Sequence, residues 1–475
     1  MSGGERRGCE LGAAIVLTLC SVLAAYSSAA AQSPFGYAQD SILVRFKELA
    51  PLQERAQAHA LAGARVHRTF RIVRGLQAVK IPPGMRVREA LELYRRHPAV
   101  LYAEPNWIFR TQTTPSDPGL GDLWGLNNTG QNGGVPGADI RALAAWDLTT
   151  GSRNVVVVVI DTGIDYTHPD LAANMFRNEL DCSGNRTDDD GNGHADDCFG
   201  IDTVNGDSDP MDDNGHGTHV AGTIGAIGNN NVGVVGVNWA VRLMACKFLS
   251  SGGTGDLVGA LGCLDYVTLM KSRGVNIVAT SNSWSGGGFS QAMFDAIEAH
   301  MEQGILFVAA AANNASDNDT TAVYPAGYDL PNVISVAATT RTDGLAGFSD
   351  YGRRTVHLGA PGAGIVSTFP MNQYAIASGT SMATPHVTGV AALLAAQNPA
   401  RDWRAIKNLI LAGGDAVPAL ARTITGKRLS ARGALSCAGS TVLSRLQPTL
   451  DTVTTAVGVP VDLGKAMAAQ LQPTM

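Results

Sequence analysis

The sequence carries little charge. Charged residues make up 16% of its 475 residues, against about 25% in an average soluble protein. Low charge together with 45% apolar residues excludes a disordered chain and a coiled coil, both of which are rich in charged residues. The net charge of −6 lacks the positive excess expected of a nucleic-acid-binding protein. Seven cysteines are too few for a disulfide-dense miniprotein.

Glycine is abundant instead, with 55 residues, which is typical of a compact protein with many tight turns. The charges are also divided unevenly. Residues 41–110 carry 13 Lys and Arg against five Asp and Glu, a net of +8, whereas residues 111–475 have a net charge of −13. Opposite charges favour docking of the basic segment on the acidic body. A length of 475 residues allows about three structural units.

The first 31 residues resemble a secretory signal peptide. Arg6 and Arg7 precede an apolar stretch at residues 11–26, and Ala29-Ala30-Ala31 provides a small-residue cleavage site. A membrane anchor is the alternative, but the stretch is shorter than the ~20 residues that span a bilayer. The arginine pair leaves the general and the twin-arginine export routes both open. We expect the mature protein to be extracellular or periplasmic, with no further membrane contact.

Export permits disulfides. Cys182 and Cys198 flank one short polar loop, and we predict a bridge between them. Cys246 and Cys263 lie in apolar runs, so a second bridge and two buried free thiols are equally consistent with the sequence. Cys437 is then left without a partner.

Two folded units follow the leader. Residues 41–110 read as strand, helix, strand, strand, helix, strand, which predicts a ferredoxin-like α+β sandwich. A segment rich in Ser, Thr, Pro, Asp and Gly at 111–121 predicts a linker. From 123 to 435 strands alternate with helices, predicted at 218–227, 254–270, 291–303 and 382–397. The apolar runs 155–160 and 305–311 are typical of strands buried on both faces of a parallel sheet, so this body is predicted to be α/β.

Three motifs in the body carry residues suited to chemistry. Asp161 ends the apolar run at 155–160, and a carboxylate there would lie at the ligand-binding edge of a parallel sheet. His216 lies between two glycines at the start of a predicted helix. His219 follows three residues later, and we consider it a structural histidine rather than a metal partner. Ser381 opens another helix, whose N-terminal amides favour a developing oxyanion. Singly, Asp161 and Ser381 could be capping residues.

Together, Asp161, His216 and Ser381 occur in one of the chain orders known for catalytic triads. The sequences around them are Ile-Asp-Thr-Gly-Ile-Asp, His-Gly-Thr-His-Val-Ala-Gly and Gly-Thr-Ser-Met-Ala-Thr-Pro. In these motifs residues 120–435 resemble the subtilase (subtilisin-like) serine proteases. Residues 41–110 resemble the inhibitory propeptide of that family. The resemblance implies a three-layer fold with a mostly parallel sheet. The C-terminal tail, 440–475, shows no clear periodicity, and its structure is not predicted.

The resemblance also implies roles for single residues. Ser381 would be the nucleophile, His216 the general base and Asp161 its orienting carboxylate. Asn313 would donate to the oxyanion, with Asn314 as the alternative, and Ala312 stands where the family usually has glycine. Substrate would bind along Ser283, Trp284 and Ser285, in a pocket walled by Ala310 and Ala312 with Val323 at its floor. Because Val323 would shorten that pocket, we expect a preference for small or medium apolar residues.

Calcium is the expected structural ion. Asp170 and Asn230 resemble ligands of the family's tight calcium site. Asp188, Asp190 and Asn192 match the first half of an EF-hand loop, although its closing Glu is absent. A solvated acidic turn is the alternative. The sequence thus predicts a monomeric, secreted, self-processing serine endopeptidase that acts on polypeptides and is inhibited by its own propeptide. Alternatives are a catalytically silent binding protein and a processing enzyme with one partner.

Overall fold

The computed structural model describes residues 37–108 and 113–436, and the backbone of two short paired strands, Thr452–Thr454 and Pro460–Asp462. The chain divides into two compact units, residues 1–110 and 111–475. The predicted signal peptide, Cys437 and most of the predicted tail lie outside the described residues. Within the described residues, no helix has the length and apolarity needed to cross a membrane.

In its described residues, 37–108, the first unit is a four-stranded antiparallel sheet with two helices, in the predicted order. Its elements are β1 (Tyr37–Phe46), α1 (Leu52–Leu61), β2 (Arg65–Thr69), β3 (Leu76–Lys80), α2 (Val87–Arg96) and β4 (Val100–Trp107). The strand order β2-β3-β1-β4 confirms the ferredoxin-like arrangement. Helix α2 buries the apolar side chains that recur at helical spacing, namely Val87, Ala90, Leu91 and Tyr94. Its first turn is capped by Glu89, which accepts from Arg86 N (3.2 Å).

The second unit is built around a nine-stranded sheet that is parallel except at one edge. The strands are β5 (Gly151–Asp161), β6 (Gly200–Asp202), β7 (Ala240–Lys247), β8 (Ile277–Asn282), β9 (Leu306–Ala310), β10 (Val333–Thr339), β11 (Leu358–Pro361), β14 (Asp415–Ala416) and β15 (Lys427–Arg428), with a separate hairpin of β12 (Ile365–Phe369) and β13 (Gln373–Ala377). The strand order in the sheet is β14-β15-β11-β10-β9-β8-β5-β7-β6.

Helices cover both faces of this sheet. Along β5, Val155, Val157 and Val159 face one apolar core, and the alternate residues Val156, Val158 and Ile160 face the other. The run of six apolar residues is therefore a strand buried on both sides, as predicted. The helices are α3 (Ala142–Trp146), α4 (His216–Gly225), α5 (Leu257–Ser272), α6 (Gln291–Glu302), α7 (Thr380–Gln397), α8 (Trp403–Gly413) and α9 (Ala431–Ser436).

Two helix boundaries differ from the prediction in a way that matters for the site. Helix α4 begins at His216 rather than at 218, and α7 begins at Thr380 rather than at 382. His216 and Ser381 therefore lie within the first turns of these helices. The apolar periodicity used for the prediction begins later than the helices do, because polar and glycine residues form their first turns.

Both pairs of cysteines are bridged. Cys182–Cys198 closes the polar loop as predicted. Cys246–Cys263 joins β7 to α5, and both residues are fully buried. The free-thiol alternative for this pair is therefore wrong. Helix α5 carries Cys263 on the face that packs into the core under β7, which the apolar surroundings alone did not reveal.

Candidate active site

Asp161 and His216, the predicted orienting carboxylate and general base, form a close pair. His216 Nδ1 lies 2.7 Å from Asp161 Oδ1. Asp161 is fully buried as the last residue of β5, and Thr162 N donates to the same oxygen (2.8 Å). Burial lowers the pKa of His216, but the carboxylates of Asp161 and Asp212 outweigh burial and leave the pKa above its ordinary value. The pair is thus arranged to stabilise a positively charged imidazole ring.

His219 has a different environment. It is buried, and its Nε2 hydrogen-bonds to the carbonyl of Ile365 (3.0 Å). Burial lowers its pKa to about 4, so the ring is neutral near pH 7. Its hydrogen bond to the β12 backbone agrees with the structural role predicted for it.

Ser381 lies in the first turn of α7, beside the segment that follows β8. Its Oγ donates to the carbonyl of Ser283 (3.0 Å), and Ser283 Oγ donates back to the carbonyl of Ser381 (2.9 Å). This reciprocal pair fixes the start of α7 against the segment after β8. It brings together two sequence regions 98 residues apart.

Asn313 has the orientation expected of an oxyanion donor. Its Oδ1 accepts from Thr380 N (2.9 Å) and Thr380 Oγ1 (3.1 Å), so its NH₂ group is left to donate elsewhere. Asn314 instead contacts Asp350, to which its backbone N donates (2.7 Å). The geometry therefore favours Asn313 over its neighbour.

Ala312 adopts a left-handed backbone conformation, with φ of +88°. Glycine is the residue best suited to that conformation, which agrees with the glycine that the family usually has at this position. This alanine keeps the conformation nonetheless, and its carbonyl accepts from Asp350 N (3.0 Å). The turn that orients Asn313 is therefore preserved at some cost in strain.

These residues surround a cleft of about 240 Å³. The cleft is lined by Thr162, Asn214, His216, Leu249, Gly253, Ser283, Trp284, Ser285, Ala310, Asn313, Thr380 and Ser381. Trp284 packs edge-on against Phe248, with ring centroids 4.9 Å apart. Ala312 is buried behind the wall, and neither it nor the half-buried Val323 belongs to this lining.

The first candidate calcium site joins residues far apart in the sequence. Asp170 is fully buried and accepts from Asn230 Nδ2 (2.7 Å), Val234 N (2.8 Å) and Tyr374 OH (2.9 Å). Asp117 lies nearby and accepts from Asn229 N (2.6 Å). Burial raises the pKa of Asp117, and the negative charge of Asp170 raises it further. Two buried carboxylates among oxygen-bearing groups fit a hard divalent cation.

The second candidate site lies in the loop closed by Cys182–Cys198. Oxygens of Asp181, Asp188 and Asp190 lie within 4.8 Å of one another. Asp181 is fully buried, and its Oδ2 has no hydrogen-bond partner, which favours a cation among these groups. Asn192 already has partners, because its Oδ1 accepts from His194 N (2.8 Å) and its Nδ2 donates to Asp197 (2.8 Å).

Several residues of these sites were missed from the sequence. Asp117 was assigned to a linker, and Asp181 lies outside the EF-hand-like stretch. Thr162 and Asn214 line the cleft although neither was singled out. Thr162 and Asn214 could have been found from the sequence, because they lie within two residues of Asp161 and His216. No local pattern marks Asp117, because its partners lie more than 100 residues away.

The parallel sheet flanked by helices, with an Asp–His pair and a serine meeting at one cleft, defines a hydrolase of the serine protease class. Comparison with known proteins identifies the family. The model of the subtilase family (Peptidase S8) matches residues 152–422, and the model of the fervidolysin N-terminal prodomain matches residues 24–106. The chain belongs to the subtilase family.

Individual relatives agree with this assignment. A thermophilic serine proteinase of Bacillus sp. (strain AK1) is 36% identical over 363 residues, which cover 76% of this chain and 79% of that protein. Subtilisin-like protease 1 of Plasmodium falciparum (isolate 3D7) is 38% identical over 275 residues, 54% of this chain and 39% of the relative. A solved structure of a cold-adapted subtilisin-like serine proteinase is 30% identical with a TM-score of 0.51, covering 65% of this chain and 98% of its own. The chain is a subtilisin-like serine protease with an N-terminal prodomain.

Proposed function

We propose that this protein is an exported endopeptidase that matures itself by cutting off its prodomain, using Asp161, His216 and Ser381. The observation that carries the proposal is the 2.7 Å contact between His216 Nδ1 and Asp161, in a cleft that also contains Ser381. A carboxylate bound at Nδ1 favours the tautomer with a free Nε2 lone pair, which is the atom that accepts the serine proton.

In this mechanism Ser381 Oγ turns from the Ser283 carbonyl toward His216. Oγ attacks the peptide carbonyl carbon as its proton moves to His216 Nε2, and the carbonyl oxygen becomes an oxyanion. The imidazolium then gives the proton to the leaving amine as the C–N bond breaks, leaving an acyl-enzyme. Water attacks the ester in the same way, with His216 again taking a proton, and Ser381 is regenerated.

The oxyanion would be held by Asn313 Nδ2 and the backbone N–H of Ser381. Support comes from the hydrogen bonds of Asn313 Oδ1 to Thr380, which hold the amide in one orientation before substrate arrives. Replacing one such donor in a related protease lowers turnover by about 10²–10³. We expect a loss of that size in Asn313→Ala and little change in Asn314→Ala, measured as kcat on one peptide substrate.

Substrate would be an extended polypeptide pairing with the Ser283–Ser285 backbone. Ala310 would form part of the wall of the main specificity pocket, with the buried Ala312 supporting it from behind. Val323, outside the present lining, would limit how far a bound side chain can extend, giving a preference for small or medium apolar side chains. A peptide-library profile dominated by Phe and Tyr would contradict this preference. If Val323 limits the pocket, Val323→Gly should extend cleavage toward larger residues.

Calcium would be a structural ion at both acidic sites. Asp170, Asn230 and Asp117 would hold it at the first site, supported by the two neighbouring buried carboxylates. Asp181, Asp188 and Asp190, with Asn192 in the same loop, would hold it at the second. Bound calcium would neutralise the carboxylates and so stabilise the loops that carry them.

The prodomain would serve as an intramolecular inhibitor until it is cut, between 107 and 118. Its basic charge and the acidic charge of the peptidase unit support attraction between them. The leader at 1–31 would direct export, after which the mature enzyme is expected to act as a monomer.

The test is the intact mass and N-terminal sequence of the secreted protein, for wild type beside Ser381→Ala. We expect the wild type to lose the prodomain and the variant to keep it, because only the wild type has a nucleophile. Equal cutting of both would show that another protease matures the chain. If both stay full length, the self-processing proposal fails, and a catalytically silent scaffold becomes the better reading.

A further inference from the structure

A second buried carboxylate lies beside the Asp161–His216 pair. Asp212 is 5% exposed, and its two oxygens accept five hydrogen bonds. Oδ1 accepts from Thr162 Oγ1 (2.8 Å), Asn214 N (3.0 Å) and Gly215 N (2.9 Å). Oδ2 accepts from Thr218 N (2.9 Å) and Thr218 Oγ1 (2.6 Å). Every polar contact of this carboxylate therefore goes to a segment next to a proposed catalytic residue.

The donors belong to both sides of the pair. Thr162 follows Asp161 directly, whereas Asn214, Gly215 and Thr218 flank His216. Gly217 N donates to Thr162 Oγ1 (2.9 Å), so the Thr162 hydroxyl connects the backbone after His216 to Asp212. Loss of the carboxylate would remove five of the hydrogen bonds that hold the end of β5 and the start of α4 in place. An error of about 1 Å between catalytic groups is enough to lower a rate by about 10².

The carboxylates of Asp212 and Asp213 also differ in their electrostatic environments. Its donors are backbone N–H groups and hydroxyls, which carry no net charge. Asp213, next in sequence, is paired with the buried Lys247 (2.7 Å), and its side chain is 51% exposed. A negative charge that is buried and balanced only by dipoles acts more strongly on a nearby ring than one that is paired and exposed.

Other charged groups around the His216 ring are few among the described residues. Asp161 faces it from β5 and His219 lies one turn along α4. Lys247 lies beneath Thr162, whose carbonyl accepts from its Nζ (2.8 Å), and Asp213 neutralises it. His219 is neutral near pH 7. The negative charges acting on the ring are thus those of Asp161 and Asp212, in agreement with the interactions that raise the pKa of His216.

We propose that Asp212 is a positioning residue and a second anion of the active site: it fixes the end of β5 against the start of α4, and it stabilises the imidazolium that forms on His216 during proton transfer. This inference rests on the proposed function, because it requires His216 to act as the general base.

The test compares Asp212→Asn with Asp213→Asn. Both remove one carboxylate, from adjacent residues, without changing side-chain size. For each variant kcat/KM is measured against pH on one peptide substrate, with Tm recorded in parallel. We expect Asp212→Asn to lower kcat by roughly 10-fold to 100-fold. We also expect its acidic midpoint to move down by about half a pH unit or more, because the imidazolium loses an anion. Asp213→Asn should move the midpoint less than half as far.

Asp212→Glu separates charge from position. It keeps the anion but displaces its oxygens, so we expect a lower kcat with a midpoint close to that of wild type. A role in folding alone predicts lower Tm values and lower kcat without any movement of the midpoint. That result overturns the proposal, as do equal midpoint shifts in Asp212→Asn and Asp213→Asn. If neither Asp212 variant folds while Asp213→Asn does, the carboxylate serves folding and the proposal is also wrong.

The proposed function fails in a different way. If the wild type has no activity that Ser381→Ala removes, the triad assignment is wrong before any Asp212 variant is considered. If the wild type has such activity and the Asp212→Asn midpoint does not move, the triad stands and the inference about Asp212 is wrong.

Discussion

The two units of this protein differ in what they bury. In the described part of the first unit, residues 37–108, Ser41 is the polar residue found among the buried ones. The second unit buries many polar groups, and fully or almost fully buried charged residues include Asp161, Asp170, Asp181, Lys247 and Arg428. Burying a charge costs several kcal/mol unless partners compensate for it. The second unit therefore accepts a cost in stability that the prodomain avoids.

The reason for the difference lies in what each unit has to do. A catalytic site needs charges held in a water-poor environment, where they act strongly on substrate and on each other. Compensation comes from hydrogen bonds to the loops, from ion pairs such as Lys247–Asp213 (2.7 Å), and from two disulfides. A prodomain needs a fold and a surface, which apolar residues around Tyr94 and Phe46 supply. Its core therefore contains no comparable buried charge among the described residues.

The largest expected effect comes from removing the buried charge at the centre of the site. Asp161→Asn should lower kcat by about 10⁴, because an amide at this position favours the wrong tautomer of His216. Stability should not fall, since Asp161 Oδ2 has no hydrogen-bond partner and the neutral amide is easier to bury. The rate of prodomain loss and the Tm measured against Ser381→Ala test both statements. The exposed Asp295→Asn is the control, and a Tm loss of several degrees in Asp161→Asn alone would contradict the argument.

The second-largest effect is expected from calcium removal, which should lower the stability of the peptidase unit but not that of the prodomain. If calcium compensates Asp170 and Asp181, EDTA should destabilise the peptidase unit by about 3 kcal/mol for an ion present at 100 times its dissociation constant. The prodomain should be unaffected. Hydrogen exchange of the Ser381→Ala chain, read segment by segment, gives both results in one experiment. Asp170→Asn and Asp188→Asn should each remove part of the EDTA effect, and an EDTA effect that both leave intact would argue against these ligands.

The features that could be predicted from the sequence differ between the two units, because the second unit buries charged groups whose partners are distant in the chain. Helix α2 and the strand order of the prodomain follow from the spacing of apolar residues, which is local information. The positions of Asp161, His216 and Ser381 were identified by local motifs too. Asp117 and Asp181 were not, because a buried carboxylate is recognisable by partners that the fold brings from elsewhere, and Cys246–Cys263 was ambiguous for the same reason. Residues whose role depends on long-range compensation are those that the sequence does not reveal.

A smaller effect is expected from pH, and it should appear in the prodomain. His59 is half-buried, with Nδ1 2.8 Å from Tyr94 OH and Nε2 2.9 Å from Gln77 Oε1. Burial lowers its pKa, so the unfolded state binds a proton at higher pH than the folded state does. Stability is therefore complete above the ordinary value of about 6.5 and falls as the pH drops below it.

The measurement is hydrogen exchange of the prodomain between pH 8 and pH 5, corrected for the intrinsic exchange rate, in the Ser381→Ala chain. His59→Gln should flatten the pH dependence. His67→Gln, on the exposed strand β2, provides a matched control that should leave it unchanged. A pH dependence that survives in His59→Gln would show that another group in the prodomain titrates.

The smallest effect concerns backbone strain beside the oxyanion donor. Ala312 and Ala311 are both buried, so replacing either with glycine loses one buried methyl group, worth about 0.8 kcal/mol, and makes the unfolded chain more flexible. Ala312 alone of the two has a positive φ, +88°, and relief of that strain should return about 1–2 kcal/mol. Ala312→Gly should therefore be close to neutral in Tm, whereas Ala311→Gly should lower it. Because the turn is already formed by Ala312, kcat should not change in Ala312→Gly. A gain in kcat would mean that the alanine displaces Asn313, and that backbone strain adds to the stability cost of buried charge at this site.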